Sequence, residues 1–309
     1  MRYTKFVYFS HCWCSHPRVG VLYGNFVVDL VEAYKEVYSA EPPNWLFDLG
    51  DYLANEKYAS KATEEILGTI SKSALVEGRI AQSPDKIIYY PITARDQRVF
   101  GVPVNYKSLV EESGAKVPEK PYIFTKFKTS LVGHKQPIIV PKVSSAPDYE
   151  VELGVVIGRK GKYVNKSNAL DYVAGYTVFN DISFRDWQSR GHPRFGLDWL
   201  HGKNMDSSTP VGPYLVTKDE IQDPYSLELI LRVNGETRQK EKASGMVFGI
   251  EQIIEELSLG IKLLPGDLIA TGTPAGVGHA RQTYLKDGDL VEAEISGLGV
   301  LANRVIKEI

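Results

Sequence analysis

The chain has 309 residues, 43% of them hydrophobic, and 36 Lys and Arg nearly balance 38 Asp and Glu for a formal charge of −2. That composition supports a large core, with a small domain plus a larger one expected. It holds no basic block suited to nucleic acid and no apolar run near the roughly 20 residues of a membrane span. The opening Met1-Arg-Tyr-Thr-Lys-Phe6 lacks the apolar core of a signal peptide, and Cys12 and Cys14 are too few for a disulfide framework. A soluble, cytoplasmic protein acting on a small molecule is expected.

In chain order, Phe6-Val-Tyr-Phe9, Val19-Gly-Val-Leu-Tyr23 and Asn25-Phe-Val-Val-Asp-Leu30 read as a small β meander, the last two joined across a Gly24-Asn25 turn. Within it, His11-Cys-Trp-Cys-Ser-His16 offers two thiols and two imidazoles of the kind Zn²⁺ takes. On a strand, however, Cys12 and Cys14 face away from His11 and no second pair follows, so no metal site is expected there. Helices are predicted over 31–38 and 49–70, where Leu53, Ala54, Lys57 and Tyr58 recur at helical spacing. Ser83-Pro84-Asp85 then breaks the chain, dividing a small N-terminal α+β domain, 1–85, from a catalytic domain, 86–309.

The second part is rich in strands, predicted at 86–90, 138–140, 149–157, 175–179, 227–233, 268–271 and 290–295. The segment 105–120, with Ser113-Gly114 and Pro118, reads as a helix followed by a mobile lid. Ser167 can cap a helix over 168–173. A longer helix, 249–263, puts Ile250, Ile253, Ile254, Leu257 and Ile261 on one face. The charges of Arg238-Gln-Lys-Glu-Lys242 suit a solvated hairpin or loop. Short alternating segments with few helices predict a β-rich α+β fold rather than a doubly wound sheet.

One strand carries the chemistry. In Asp148-Tyr-Glu-Val-Glu-Leu-Gly-Val-Val-Ile-Gly158, Val151, Leu153, Val155 and Ile157 share one face and Glu150, Glu152 and Gly154 the other. Two carboxylates about 6–7 Å apart at the backbone can converge on one hard cation. Gly154 and Gly158 are read as leaving space beside them. Asp181, closing the apolar run Ala174-Gly-Tyr-Thr-Val-Phe-Asn-Asp181, is a third candidate ligand at a strand end.

Four segments come in a familiar order: Asp148-Tyr-Glu-Val-Glu-Leu153, Gly175 through Gln188 including Asp181-Ile-Ser-Phe-Arg185, Gly202-Lys-Asn-Met-Asp206 with Pro210-Val-Gly-Pro213, and Ala270-Thr-Gly-Thr-Pro-Ala-Gly-Val-Gly278. As a set they resemble the fumarylacetoacetate hydrolase family over roughly 95–309. The resemblance implies a mixed β-sandwich roll, a homodimer, and Mg²⁺ or Mn²⁺ held by Glu150, Glu152 and Asp181. The metal would chelate a 2-oxo or 1,3-dioxo acid and stabilise an enolate. Lys203 matches the family's active-site lysine, and Arg185 and Gln188 match positions near the substrate carboxylate. Thr273 sits in a loop whose hydroxyl and N–H groups can hold a carboxylate.

One position departs from the pattern. Hydrolytic members carry a histidine four residues after an Asn-Tyr Asn and a glutamate three residues later, whereas Asn105-Tyr106-Lys-Ser-Leu109-Val-Glu-Glu112 keeps the glutamate and puts Leu109 in the histidine's place. Leucine accepts no proton, and the lost transfer is worth about 10²–10⁴-fold. Glu112 could act alone if burial raises its pKa, which favours isomerisation or tautomerisation over C–C hydrolysis, with decarboxylation the third reaction that such an enolate could serve. His134 and His192 are weaker candidate bases. A metal and oxo-acid binding protein with little catalysis is the other reading that Leu109 leaves open.

Overall fold

Both faces of the strand Val151–Ile157 are covered, and all seven of its residues are buried. Val151, Leu153, Val155 and Ile157 pack with Leu229, Leu231, Val291 and Ala293 of a second sheet. Val156 points the other way, beside Phe179, Leu215 and Leu268. Because strand side chains alternate, this one strand serves two layers. The chain is described by a computed structural model at residues 5–12, 16–70, 78–94, 98–194 and 196–309.

A 12-stranded sheet runs in the spatial order Ala81–Gln82, Phe26–Asp29, Arg18–Tyr23, Lys5–His11, Thr209–Thr217, Val173–Asn180, Val151–Ile157, Leu268–Ala270, Val99–Gly101, Phe124–Lys126, with Ile87–Tyr89 and Leu131–Val132 as side branches. The facing sheet has five strands, Glu236–Lys242, Glu228–Val233, Leu290–Ile295, Gly299–Lys307 and Ile138–Val140. The expected β-rich α+β architecture is therefore present. The N-terminal meander pairs as expected and continues the large sheet, because Lys5–His11 lies antiparallel to Thr209–Thr217. Leu30–Tyr38, Leu49–Ala54 and Glu56–Thr69 cover that sheet's outer face through Leu30, Val31, Leu49, Tyr52 and Ile66.

Several expectations change. The helix over 49–70 divides at Asn55, whose backbone (φ −106, ψ 21) leaves the helical path. The 249–263 helix stops at Leu257. Ile261, 43% exposed, lies beyond Gly260 (φ +77) and takes no part in the core face. Residues 166–172 form a 3₁₀ helix capped by the Asn165 side chain, not by Ser167. Gly154 and Gly158 serve close packing instead of leaving space, since a Cβ would meet Thr177 Cγ2 at 2.7 Å and Ala174 Cβ at 2.8 Å respectively. Residues 236–242 do form a hairpin strand, but Gln239 within it is buried. The central strand Thr209–Thr217 was not predicted, because Pro210 and Pro213 lack the N–H groups a strand interior uses.

The N-terminal His/Cys cluster divides. His11 is buried, with Nε2 2.6 Å from Asp29 Oδ2, and Arg18 donates to the same oxygen at 3.2 Å. Cys12 is exposed, and Cys14 lies outside the described residues.

Sheet closeness can be tested at Gly175, where a Cβ would fall 2.1 Å from Val216 O. Gly175→Ala should lower stability in urea unfolding by about 1–3 kcal/mol through overpacking. Gly68→Ala, in open space on the helix Glu56–Thr69, should raise it by about 0.5–1 kcal/mol. An unchanged midpoint for Gly175→Ala would contradict this packing.

Candidate active site

Strand register brings the acids together. Val151 pairs with Asn180 in the antiparallel ladder, so Glu150 and Asp181 meet just beyond it. There the Asp181 N–H donates to Glu150 O at 2.8 Å, and the Glu150 N–H to Asn180 Oδ1 at 3.0 Å. Glu152 lies two residues on along the same strand face. Glu150, Glu152 and Asp181 are buried, each presents a carboxylate oxygen within 4.8 Å of the others, and no other such group exists among the described residues. Two oxygens bound to one Mg²⁺ or Mn²⁺ ion lie at most about 4–5 Å apart, so the donor set fits a hard divalent cation.

Three cations offset most of this charge. The buried Lys203 Nζ donates to Glu150 Oε2 at 2.8 Å and Asp181 Oδ2 at 2.6 Å. Lys126, fully buried on Phe124–Lys126, donates to Asp181 Oδ1 at 2.6 Å. Arg185 donates through Nε to Asp148 Oδ2 at 2.8 Å, through Nη1 to Gln188 Oε1 at 3.0 Å, and through Nη2 to Glu150 Oε1. Burial alone would raise the Asp181 pKa, but the Lys126 and Lys203 ammoniums outweigh it and hold it low. Burial alone would lower Lys203, yet Asp181 and Glu150 keep its pKa above the ordinary value.

Glu152 is different. Its contact is the Gly272 N–H, which donates to Oε2 at 2.6 Å. Burial first, then the Asp181 and Glu150 charges, push its pKa well above the carboxylate range. Gly272 reaches it with φ +94, a conformation that favours glycine, in a space where a Cβ would meet Asn105 Cβ at 2.7 Å. Asn105 is itself buried and structural, donating to Thr271 O at 2.7 Å and accepting from Phe248 N at 2.8 Å.

A cavity of about 200 Å³ opens onto these groups. Its walls include the three acids with Arg185, Gln188, Lys203, Thr273 and Leu109. Thr273 offers less than expected: its hydroxyl donates to Val151 O at 2.8 Å and accepts from Gln239 Nε2 at 2.9 Å, which leaves its main-chain N–H for a ligand. Arg185 heads the short helix Arg185–Gln188, and its neighbour Asp186 accepts from the Ser144 hydroxyl at 2.8 Å and the Ser145 N–H at 2.9 Å.

Glu112 is exposed on the helix Lys107–Ser113, does not line the cavity, and accepts the Gly276 N–H at 3.0 Å. The burial invoked to raise its pKa is absent. His134 is remote, its Nδ1 accepting the Ala302 N–H, and His192 does not line the cavity. Sequence reading missed Lys126 and the contacts of Asp148. Lys126 sits in a three-residue strand that carries no periodicity, and Asp148 meets partners distant in sequence.

A β-rich roll with a buried three-carboxylate pocket, open to a small cavity, defines a class of enzyme site. The chain belongs to the fumarylacetoacetate hydrolase family: residues 98–306 match the family described as "Fumarylacetoacetate (FAA) hydrolase C-terminal". It is 46% identical over 218 residues to the mitochondrial oxaloacetate tautomerase Fahd2a of Rattus norvegicus, covering 70% of this chain and 68% of that one. The 2-hydroxyhepta-2,4-diene-1,7-dioate isomerase of Mycobacterium marinum is similar at 29% identity and TM-score 0.70, over 99% of both chains. The maleylpyruvate hydrolase of Sphingobium sp. SYK-6, solved with manganese(II) and pyruvate, is 25% identical at TM-score 0.74, over 99% of this chain and 100% of that one. The protein is an enzyme of this family. Among the described residues no helix is long and apolar enough to cross a membrane, and the rat relative is mitochondrial by name, which lends the cytoplasmic expectation no support.

Because the Glu152 pKa is raised, the metal-free fold holds a proton that the unfolded chain releases, and stability falls as pH climbs above the ordinary carboxylate range. A divalent cation held by these carboxylates would replace that proton. Mn²⁺ should therefore raise Tm more at about pH 8 than at about pH 5.5 in a thermal-shift titration; an equal rise at both would contradict the assignment.

Proposed function

We propose that this enzyme uses a divalent metal, Mg²⁺ or Mn²⁺, to interconvert the enol and keto forms of a small 2-oxo dicarboxylate such as oxaloacetate, with residues 86–309 as the catalytic part and 1–85 as a smaller N-terminal one. The observation that carries this reading is Leu109 in the cavity wall, where hydrolysis would need a base. A tautomerisation moves one proton between carbon and oxygen and needs no activated water. The 46%-identical oxaloacetate tautomerase supports the same choice. Relatives named as tautomerase, isomerase and hydrolase count against a purely sequestering role.

Glu150, Glu152 and Asp181 would hold the ion, which when bound supplies Lewis-acid polarisation of the substrate's oxo group. Lys203, fixed between Glu150 and Asp181, adds positive charge where the oxygen gains electron density. Arg185 keeps two further N–H donors for a substrate carboxylate, beside Gln188 and the Thr273 N–H. Leu109, Phe124, Trp199 and Val277 give the cavity an apolar wall. Its volume of about 200 Å³ is below the roughly 300–1,000 Å³ of drug-sized pockets, which suits a small diacid. The exposed apolar Tyr122, Phe127, Leu197 and Leu200 support the expected homodimer.

A panel of oxaloacetate, acylpyruvates and hydroxymuconate-type diacids, followed by enol absorbance, tests the reading. Oxaloacetate should turn over with Mg²⁺ or Mn²⁺ and stop with a chelator, while C–C cleavage stays slow. Leu109→His should raise cleavage at least about tenfold. Rapid C–C hydrolysis by the unmodified chain, or ligand binding without turnover, would sink it.

A further inference from the structure

The cavity holds a proton-transfer group at its mouth. Of the six histidines in the chain, His279 is the one that lines it. His11 and His201 are paired with Asp29 and Asp198, His134 lies against Tyr89, and His16 and His192 are not in its wall.

The His279 turn, Gly278–Arg281, is tied to the same frame as the acids. Asp148 accepts the Gly278 N–H at 2.7 Å and the His279 N–H at 3.0 Å, while its carboxylate also accepts Arg185 Nε at 2.8 Å. Arg185 in turn holds Glu150. One carboxylate thus sets the position of both the histidine and the arginine that fixes a candidate ligand. Gly278 permits the approach, since a Cβ there would meet Thr283 O at 2.2 Å and Asp148 Oδ1 at 2.7 Å.

The ring is also oriented. His279 Nδ1 lies 3.1 Å from the Tyr284 hydroxyl, which donates to Gln282 Oε1 at 3.4 Å. With the hydroxyl proton directed at Gln282, the tyrosine oxygen accepts from Nδ1–H, and Nε2 carries the lone pair. That is the form a base requires. The imidazole is exposed at the mouth and exchanges protons with water.

We propose that His279 is the catalytic base that Leu109 cannot be, taking the proton from the carbon between the two carbonyl-bearing carbons of the substrate. The C–H pair becomes the C=C bond, the oxo π pair moves to oxygen, and that oxygen receives a proton from the imidazolium or from water. Atoms and charge balance without a co-reactant. The inference rests on the tautomerase reading and adds the identity of its proton carrier. Arg185, Lys203, Glu150, Glu152 and Asp181 share the cavity with the ring, Asp148 lies under its turn, and Arg281 and Tyr284 belong to its own segment.

The experiment compares wild type, His279→Gln and His279→Gln/Leu109→His with Mn²⁺. It measures oxaloacetate enol–keto turnover across pH, solvent deuterium uptake at the substrate carbon, and oxalate affinity by calorimetry. His279→Gln should lower turnover and deuterium uptake about 10²-fold or more, remove the acidic limb of the pH profile, and leave oxalate affinity within about threefold. Adding Leu109→His should restore about tenfold. If His279→Gln folds poorly, Tyr284→Phe removes only the orienting hydroxyl and should cost about tenfold. A His279→Gln enzyme that keeps its rate and its acidic limb overturns this inference alone. A wild type that binds oxalate without turning over oxaloacetate overturns the tautomerase reading and the inference with it.

Discussion

The pocket is governed by the need to bury four carboxylates with only three cations. Asp148, Glu150, Glu152 and Asp181 are all less than a tenth exposed, and they face Lys126, Lys203 and Arg185. Each cation bonds one or two of the acids, but none bonds Glu152, which accepts the Gly272 N–H and feels Lys203 only at a distance. Breaking a buried ion pair costs about 3–5 kcal/mol, so the frame tolerates little rearrangement. The remaining negative charge would suit the proposed ligands: a divalent cation would make the pocket positive, and an anionic oxo acid would then offset that charge.

The strands make that charge cluster affordable by fixing it on backbone. The register of Val151–Ile157 against Val173–Asn180 sets Glu150 beside Asp181, while Leu268–Ala270 on the other edge delivers Gly272 to Glu152. Gln239, from the opposite sheet, accepts the Val151 N–H and donates to Thr273 and Pro274. The ligand strand and the Thr273 loop are therefore clamped together from outside the cavity. Groups held this way lose little freedom when a ligand binds.

Much of the site was legible in the sequence because strand alternation is a local property. Glu150 and Glu152 two apart, with Val151 and Leu153 between and beyond them, already implied a shared polar face. The motif order supplied Asp181, Lys203 and Arg185. What could not be read was compensation across long separations: Lys126 meets Asp181 from 55 residues away, and Asp148 meets the His279 turn from 131. Helix lengths were overestimated where apolar spacing continued past the true end, as at Ile261. The strand Thr209–Thr217 was hidden by its prolines. Glu112 was misjudged for a similar reason, since exposure depends on where the helix Lys107–Ser113 docks and not on its sequence.

Leu109 and His279 separate what the family shares from what this chain does with it. The acids and their cations define how charge is stabilised, and the proton carrier decides which reaction follows. All of this presupposes that Glu150, Glu152 and Asp181 bind one divalent ion. Mn²⁺ electron paramagnetic resonance tests that directly. One bound ion per chain is expected in the native protein, with loss of that signal in a Glu152→Gln, Asp181→Asn variant that still folds. Equal binding by the variant, or Mn²⁺ left free by the native chain, would contradict it.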